Sequence, residues 1–361
     1  MKVLIIAFHS RSMTPYSKLY EDVIKDVNIE YDIIFWDRFI NQKVEKRENE
    51  YIIHRICSLG GNKIKKIIPM LYFRHVVKSI LKNNNYERII ILNTLPAVLL
   101  SDILNKDFLN KYILDIRDYT YEKFNFYKKI VDKLIQNSFC TIISSKGFFK
   151  FLKKNSKIYI GHNISNNDNK YYTNDILKKK KKIIIGFVGV IRYKKENKYL
   201  LNSLKNDKKY TCLYVGRSYP DCNLKEFCIN ENIKNVVFKG EFNNNEKNDI
   251  YKNIDIINAV YGNSSIEVQT ALPNKLYDAI ILKKPMIVFK GTYLSEVVEK
   301  YKLGISVDFN SDIRNLLEKY IETFDSKQFE ENTNILLDKV NEDQNRIKNK
   351  VKDFLKKSKG W

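Results

Sequence analysis

The sequence predicts an α/β protein with two doubly wound domains, each built on a parallel sheet. Its length of 361 residues exceeds what one ordinary hydrophobic core supports, so two domains are expected. Short apolar runs typical of buried strands, such as residues 2–8 and 183–189, alternate with amphipathic helical segments along both halves. Alternation of this kind is the pattern of parallel sheets with helical crossovers.

The first half of the chain follows this alternation in order. We expect strands at residues 2–8, 31–36, 88–92, 111–115 and 140–144, and helices at residues 15–26, 63–82, 96–105, 124–138 and 146–153. Residues 40–60 are polar and weakly patterned, and no element is predicted there. The loop 9–15 contains no glycine, so the GxGxxG dinucleotide fingerprint is absent from this half.

The second half repeats the alternation after a polar segment. We expect strands at residues 183–189, 210–215, 235–238, 254–258, 286–289 and 305–307, and helices at residues 195–205, 246–252, 273–280, 294–300, 311–323 and 326–357. An Asn-rich stretch and the lysine run 178–182 precede them, which is a composition typical of a linker. The predicted division is a first domain at 1–163, a linker at 164–182, a second domain at 183–335 and a helix at 336–361 that packs back toward the first domain.

The composition limits the kinds of partner. The net charge of +22 favours an anionic partner, although abundant Lys, Asn and Ile also indicate an AT-rich genome that raises the charge without a function. The aromatic residues do not form the alternating platforms of RNA-binding strands, so nucleic acid is not expected. Five scattered cysteines and four histidines show no metal-ligand spacing, and no metal site is expected.

No apolar run approaches the roughly 18 residues that a membrane span needs. The N-terminus resembles the core of a signal peptide, but it lacks a small-residue cleavage site and is better explained as a strand. We therefore expect a cytoplasmic protein. The basic segment 63–82 has an apolar face that includes Ile64, Ile67, Ile68 and Leu71. It predicts either a helix packed on the sheet or a helix that lies on the anionic inner face of the plasma membrane.

Two further segments are candidate binding sites. The helix after Pro273 begins from a loop, so its open N–H groups suit a diphosphate, and Asp278 lies one turn in, where it could accept hydrogen bonds from a ribose. The alternative is an ordinary loop with a surface Asp. Asp115, Arg117 and Asp118 end a predicted strand, where ligands of parallel sheets gather, and the alternative there is a salt-bridged loop.

With these segments in view, the second half resembles a known family. Residues 185–193, 215–216, 237–240, 272–280 and 285–288 together resemble the retaining nucleotide-sugar glycosyltransferases of the GT-B, family-4 type, which assemble bacterial capsule and surface polysaccharides. The resemblance implies two Rossmann-like domains that face a central cleft, with the acceptor bound by the first domain and the nucleotide sugar by the second. It is specific over about residues 183–308.

The resemblance also implies roles for individual residues. Arg192 with Lys194 or Lys195 would neutralise the diphosphate without a metal, and Asp278 would hold the ribose. Arg117 and Asp118 are the implied catalytic candidates on the acceptor side, together with Arg192. The remaining implied contacts border the base (Gly216, Arg217, Gly240, Glu241) or face the phosphates and sugar (Leu272, Pro273, Asn274, Lys275).

One departure from the family pattern concerns its two glutamates, which are eight residues apart. This sequence has Thr270 and Asp278 at those positions, and Thr270 cannot act as a carboxylate toward the donor sugar. The expected activity is retaining transfer from a UDP- or GDP-linked sugar, with no further cofactor, to a hydroxyl of a lipid-linked or oligosaccharide acceptor. The alternatives are a sugar-nucleotide epimerase of the same fold, a nucleic-acid-binding protein and a non-catalytic scaffold.

Overall fold

The computed structural model of the protein describes residues 1–39, 46–57, 64–164 and 177–356. It divides the chain into two compact units. The first comprises Met1–His162 and Glu342–Trp361, and the second comprises Asn163–Asn341. Each unit is built on one parallel sheet, which confirms the predicted fold class.

The first unit contains a seven-stranded sheet in the order β3-β2-β1-β4-β5-β6-β7. Every neighbouring pair runs parallel. The strands are β1 (Lys2–Ile6), β2 (Glu30–Asp37), β3 (Glu50–His54), β4 (Arg88–Leu92), β5 (Tyr112–Ile116), β6 (Cys140–Ile143) and β7 (Ile158–Ile160).

Helices cover this sheet and complete its core. They are α1 (Ser17–Asp26), α2 (Ile67–Asn83), α3 (Thr94–Leu99), α4 (Ser101–Lys106) and α5 (Asn125–Asn137). The last turns of the C-terminal helix also belong to this unit, since Ile347, Val351 and Phe354 are buried in the same core as Val3 and Ile5. Their spacing of four and three residues places these three side chains on one helical face.

Some elements differ from the prediction. β3 and β7 were not predicted, because β3 lies in the polar, weakly patterned segment 40–60 and β7 has only three residues. The helix predicted at 96–105 is broken at Leu100 into α3 and α4. The helix predicted at 146–153 is a 3-10 turn at Lys146–Lys150, and the predicted linker falls largely on residues 165–176, outside the described residues.

The second unit contains a six-stranded parallel sheet in the order β10-β9-β8-β11-β12-β13. Its strands are β8 (Ile183–Val188), β9 (Tyr210–Val215), β10 (Val236–Lys239), β11 (Ile256–Ala259), β12 (Met286–Phe289) and β13 (Gly304–Val307). Its helices are α6 (Lys194–Ser203), α7 (Leu224–Asn230), α8 (Lys247–Lys252), α9 (Ile266–Thr270), α10 (Asn274–Ile281), α11 (Tyr293–Lys300), α12 (Ile313–Thr323) and α13 (Ser326–Leu355), the last of which ends in the first unit.

The order of the strands locates the ligand-binding edge of each sheet. β1 lies between β2 and β4, and β8 lies between β9 and β11, so the chain changes direction across the sheet at these two strands. Ligands of doubly wound sheets bind beyond the carboxyl ends of the strands at such a switch point. The residues that follow β1 and β8 are therefore the first places to look for function.

Candidate functional site

A cavity of about 360 Å³ opens beyond the carboxyl end of β8, within the second unit. The segment after β8, the start of α10 and side chains of neighbouring loops form its walls. Its lining residues are Phe187, Val188, Gly189, Val190, Arg192, Tyr193, Phe242, Lys247, Tyr261, Pro273, Asn274, Lys275 and Asp278. The cavity thus brings together the two segments that the sequence singled out, the turn with Arg192 and the start of the helix with Asp278.

Two glycines shape the edge of this cavity. Gly189 and Gly216 have φ angles of +119° and +130°, which L side chains rarely adopt. A Cβ atom on Gly216 would lie 2.1 Å from the carbonyl oxygen of Gly189. The ends of β8 and β9 can approach this closely only because Gly216 has no side chain.

Lys275 is a buried cation in the wall of the cavity. Its residue surface is 7% exposed, and its Nζ lies 3.8 Å from the ring centroid of Phe187 and 5.3 Å from that of Tyr261. Burial lowers the pKa of Lys275 to about 7, with Asp278 opposing that shift and Lys247 and Arg192 adding to it. A bound anion would restore the charge, so the site is built for a negatively charged ligand.

Arg192 and the amino end of α10 contribute to the same cavity. Arg192 lines the cavity and is exposed, and its Cζ lies 5.6 Å from the ring of Tyr219. Asn274, the first residue of α10, is exposed, and its Oδ1 accepts a hydrogen bond of 2.8 Å from Asn163 Nδ2. The N–H groups and dipole of this helix end favour an anion at the same place.

Asp278 lines the cavity but already has partners. Its Oδ1 accepts a hydrogen bond from Lys247 Nζ at 2.7 Å, and its Oδ2 accepts one from Tyr251 OH at 3.0 Å. The carboxylate is therefore held in place rather than free to rotate. A carboxylate has about four lone-pair positions, so these two bonds leave capacity for a ribose hydroxyl.

A smaller cavity of about 80 Å³ adjoins the first and shares Tyr193, Tyr261 and Pro273 with it. Glu267 of α9 lines this smaller cavity. Tyr193 adopts a left-handed conformation with φ of +61°, and its ring lies 4.7 Å from that of Tyr261. A left-handed conformation is costly for a residue with a side chain and is found most often at functional sites.

Thr270, which stands where the family pattern has a glutamate, is fully buried. Its Oγ1 donates a 2.6 Å hydrogen bond to the carbonyl of Ile266, so the side chain points back along its own helix. Glu267 lies three residues earlier and supplies a carboxylate to the smaller cavity. A carboxylate is therefore present one helical turn before position 270, where the family pattern has its glutamate.

Other predicted contacts lie outside both cavities. Lys194 and Lys195 are exposed on the first turn of α6, and Lys195 Nζ lies 4.3 Å from the Phe309 ring. Five more predicted contacts also lie outside both cavities. They are the half-buried Leu272, Gly216 and the exposed residues Arg217, Gly240 and Glu241. Their roles in binding the nucleotide stay predictions.

Several lining residues had no distinctive signal in the sequence. Phe187 belongs to the segment 185–193 that carries the family resemblance, and Phe242 to the turn 239–242 expected to border the base, but neither was assigned a contact of its own. Lys247 lies 31 positions before its partner Asp278, and Tyr261 and Glu267 stand in segments without a motif. Only the folded chain brings these side chains to the site.

In the first unit, Arg117 and Asp115 form a buried pair at the end of β5. Arg117 Nη2 donates to Asp115 Oδ2 at 2.8 Å and Nη1 donates to the carbonyl of Gly161 at 2.9 Å, while Tyr20 OH donates to Asp115 at 2.6 Å. The pair holds the chain that follows, on which Asp118 is exposed. The catalytic role of Arg117 and Asp118 stays a prediction.

Comparisons with known proteins fit this geometry. The family model of glycosyl transferases group 1 matches residues 168–356, which is more than half of the chain. Comparison of the sequence with curated proteins gave no match.

Among solved structures, sucrose-phosphate synthase from Thermosynechococcus elongatus has 12% identity and a TM-score of 0.69 over 98% of this chain and 94% of its own. A glycosyltransferase from Rickettsia africae has 15% identity and a TM-score of 0.67 over 99% of each chain. Anabaena HepE, solved with UDP and glucose, has 12% identity and a TM-score of 0.66 over 98% of this chain and 100% of its own.

At such low identity, the structural neighbours establish the fold, which is the GT-B arrangement of two Rossmann-like domains. The family model, in contrast, matches the sequence itself over the unit that contains the cavities. The chain belongs to the glycosyl transferases group 1 family and is a glycosyltransferase.

Proposed function

We propose that this glycosyltransferase moves a sugar from a nucleoside diphosphate sugar to an acceptor hydroxyl, with retention of configuration and without a metal. The observation that supports this most strongly is Lys275, a buried lysine in the cavity beyond β8 with Arg192 on the same wall. A diphosphate is the ligand that matches two cations and a helix amino end.

The proposed chemistry follows from the leaving group. As the bond to the sugar breaks, negative charge grows on the β-phosphate oxygen of the nucleoside diphosphate. Lys275, Arg192 and the first N–H groups of α10 stabilise that charge with fixed positive ends, which costs little reorganisation during the reaction. Asp278 accepts hydrogen bonds from the ribose, at the position where Lys247 and Tyr251 hold it.

We assign the donor sugar to the smaller cavity, with Glu267 as acceptor of hydrogen bonds from its hydroxyls. Structural neighbours of this chain include HepE solved with UDP-glucose and a pneumococcal O-GlcNAc transferase solved with UDP and GlcNAc. These ligands belong to those proteins, and they favour a UDP-linked donor for this one. GDP is the alternative base that the test below includes.

The proposed acceptor is a lipid-linked or oligosaccharide hydroxyl in surface polysaccharide synthesis, and Asp118 is our candidate beside it in the first unit. Two structural neighbours, WaaG and WaaB, are described as glycosyltransferases of lipopolysaccharide, which favours this class of acceptor. Any residue that takes the acceptor proton must be within hydrogen-bond reach of the hydroxyl.

The exposed side chains of helix α2 support our proposal that the protein binds a membrane surface. The 3-10 turn at Ile64–Lys66 and the first turns of α2 expose large apolar side chains, with Ile64 at 74%, Ile68 at 67% and Leu71 at 55% of their surface. The side chains that pack inward are Pro69, Phe73 and Val77 instead.

Packing of the whole apolar face on the sheet, one of the two predicted alternatives, therefore does not hold for the first half of the segment. An exposed apolar stripe with Lys65 and Lys78 beside it suits an anionic lipid surface. Asp102 pairs with two cations here, because it accepts hydrogen bonds from both Nη atoms of Arg74 at 2.7 and 2.8 Å and lies 3.6 Å from Lys78 Nζ. Lys63 lies outside the described residues. Within the described parts of the chain, no helix combines the length and apolar character of a bilayer span.

The test is product analysis with candidate UDP- and GDP-sugars, each with and without lipid-linked saccharide acceptors. We expect an acceptor product that keeps the anomeric configuration of the donor and forms in the presence of EDTA. A changed donor sugar without acceptor would identify an epimerase instead, and inversion of the anomeric carbon would contradict the retaining mechanism.

A further inference from the structure

Arg38 is a buried arginine in the first unit. It follows β2 at the carboxyl edge of the sheet, and 6% of its surface is exposed. Within the described ranges no carboxylate pairs with it, and its Nε has no hydrogen-bond partner. The preceding acid, Asp37, accepts hydrogen bonds from His54 Nδ1 at 3.2 Å and from the Phe39 amide at 3.1 Å.

The position of the guanidinium is set by the strands around it. Its Nη2 donates to the carbonyl of Phe8 at 3.1 Å, and its Cζ lies 4.3 Å from the ring of Trp36 and 4.7 Å from the ring of Phe8. These rings compensate for part of the lost hydration. They do not accept its remaining N–H groups in the plane of the guanidinium, where an oxyanion would bind.

His9 is a second unsatisfied group at the same edge. It follows β1, the strand at which the order of the sheet reverses, and among the described residues its buried Nδ1 has no hydrogen-bond partner. Burial, with a smaller effect from the charge of Arg38, lowers the pKa of His9 to about 4, so the ring is neutral near pH 7. A buried polar atom without a protein partner calls for another one, such as a water molecule, an ion or a ligand.

We propose that Arg38 and His9 form a subsite for an oxyanion, either a phosphate or a carboxylate, that the sugar acceptor carries. The guanidinium would hold two oxygens of the anion, and the neutral imidazole would donate one N–H. The switch point of a doubly wound sheet is where such a ligand is expected. The oxyanion site stands on its own contacts, whereas its assignment to the acceptor rests on the proposed function.

The test uses Trp36 as a reporter, because its ring stacks on Arg38. The chain has two tryptophans, so Trp361→Phe leaves Trp36 alone. Arg192→Gln and Lys275→Met in the same background remove two of the three cations that line the nucleotide cavity, and the third, Lys247, is paired with Asp278. Inorganic phosphate and acetate are then titrated separately at constant ionic strength, with binding followed by tryptophan fluorescence and by calorimetry.

The variant is Arg38→Gln and the matched control is Arg88→Gln. Arg88 begins β4 at the amino ends of the strands, its Cζ lies 5.4 Å from the Phe354 ring, and its Nε likewise has no partner among the described residues. We expect saturable binding of one anion, weakened at least tenfold by Arg38→Gln and unchanged by Arg88→Gln. The anion that binds more tightly shows whether the subsite prefers a phosphate or a carboxylate. Binding of neither anion, or equal affinity in the two variants, overturns the proposal.

If Arg38→Gln does not fold, Arg38→Lys and His9→Phe replace it, and unchanged affinity in both overturns the proposal. UDP and GDP titrations of the chain with its natural cavity residues are run in parallel. If phosphate and acetate do not bind but nucleotide binding is intact, the result overturns the oxyanion subsite and leaves the proposed function standing. Failure to bind either nucleotide contradicts the proposed function and leaves the oxyanion result standing.

Discussion

At the scale of single residues, Lys275 is the most informative side chain. Its pKa of about 7 means that the free protein holds a partly neutral lysine next to a cavity with Arg192 on its wall. A diphosphate would raise that pKa toward its ordinary value, because the anion favours the charged form. Binding is therefore coupled to the uptake of a proton.

This coupling predicts that UDP or GDP binds more weakly as the pH rises above 7. Asp278, Lys247 and Arg192 also face Lys275. The terminal phosphate of the nucleotide, with a second pKa of about 6, is already largely ionised at pH 7. We expect a loss of up to about tenfold in affinity per pH unit, measured by calorimetry. The slope should disappear in Lys275→Met, and a persisting slope would assign the titration to another group.

Glu267 and Thr270 form a second test. If Glu267 holds donor-sugar hydroxyls, Glu267→Gln should lower kcat/KM about 10- to 100-fold while UDP affinity stays the same. Thr270→Val removes a hydroxyl that points to its own helix, so its effect on kcat/KM should be small. Steady-state kinetics with the identified donor provide the measurement. A larger loss of kcat/KM in Thr270→Val than in Glu267→Gln would mean that position 270, where the family pattern has a glutamate, contacts the donor sugar.

At the scale of elements, the turns after β8 and β9 depend on glycine. Gly216→Ala should reduce the free energy of unfolding by about 2 kcal/mol or more, since its Cβ would overlap the backbone of Gly189. Gly240 is the matched control, because a Cβ there meets no atom within 4 Å. Urea unfolding followed by circular dichroism measures both variants. Equal stabilities would mean that the turns can separate without cost.

Helix α2 gives the prediction about the membrane. The double change of Ile68 and Leu71 to Gln should weaken binding to liposomes of anionic lipid at least tenfold, because the exposed apolar stripe can no longer enter the lipid interface. Ile229→Gln with Ile335→Gln is the matched control, since both side chains are comparably exposed but lie in the second unit. Co-sedimentation measures the bound fraction. A similar loss in both double variants would indicate nonspecific adhesion.

The elements also show what the sequence can predict. Central strands such as β1, β4 and β8 are continuous apolar runs, and they were predicted to within two residues of their observed ends. The strands β3 and β7 were missed, because β3 lies in a polar segment without a clear apolar pattern and the three residues of β7 are too few to show one. Helix α9 was also missed, since five residues are too few to establish a helical period.

At the scale of the whole molecule, the family and the fold class could be predicted from the segments at 183–193 and 272–288. The candidate site could be predicted only in part. Arg192, Asn274, Lys275 and Asp278 stand in those segments, and the cavity brings them together. The partners outside those segments, among them Lys247 and Tyr261, are distant in the sequence and come close only through the order of the strands.

The net charge of +22 also acts at this scale. Spread over the surface, it would attract any anionic ligand weakly and would fall off with salt. A specific site, in contrast, depends on particular cations at fixed positions. A variant that removes one buried charge and leaves the surface unchanged separates the two contributions.

The most direct measurement is therefore calorimetric titration of the protein with UDP and GDP, in the natural chain, in Lys275→Met and in Lys198→Gln. Lys198 lies on α6 with its Nζ 4.3 Å from the Phe227 ring, outside both cavities, and serves as a charge-matched control. We predict that one nucleotide binds, that Lys275→Met weakens it at least tenfold and that Lys198→Gln leaves it unchanged. Undiminished affinity in Lys275→Met, or no binding of either nucleotide, would contradict a diphosphate site beyond β8.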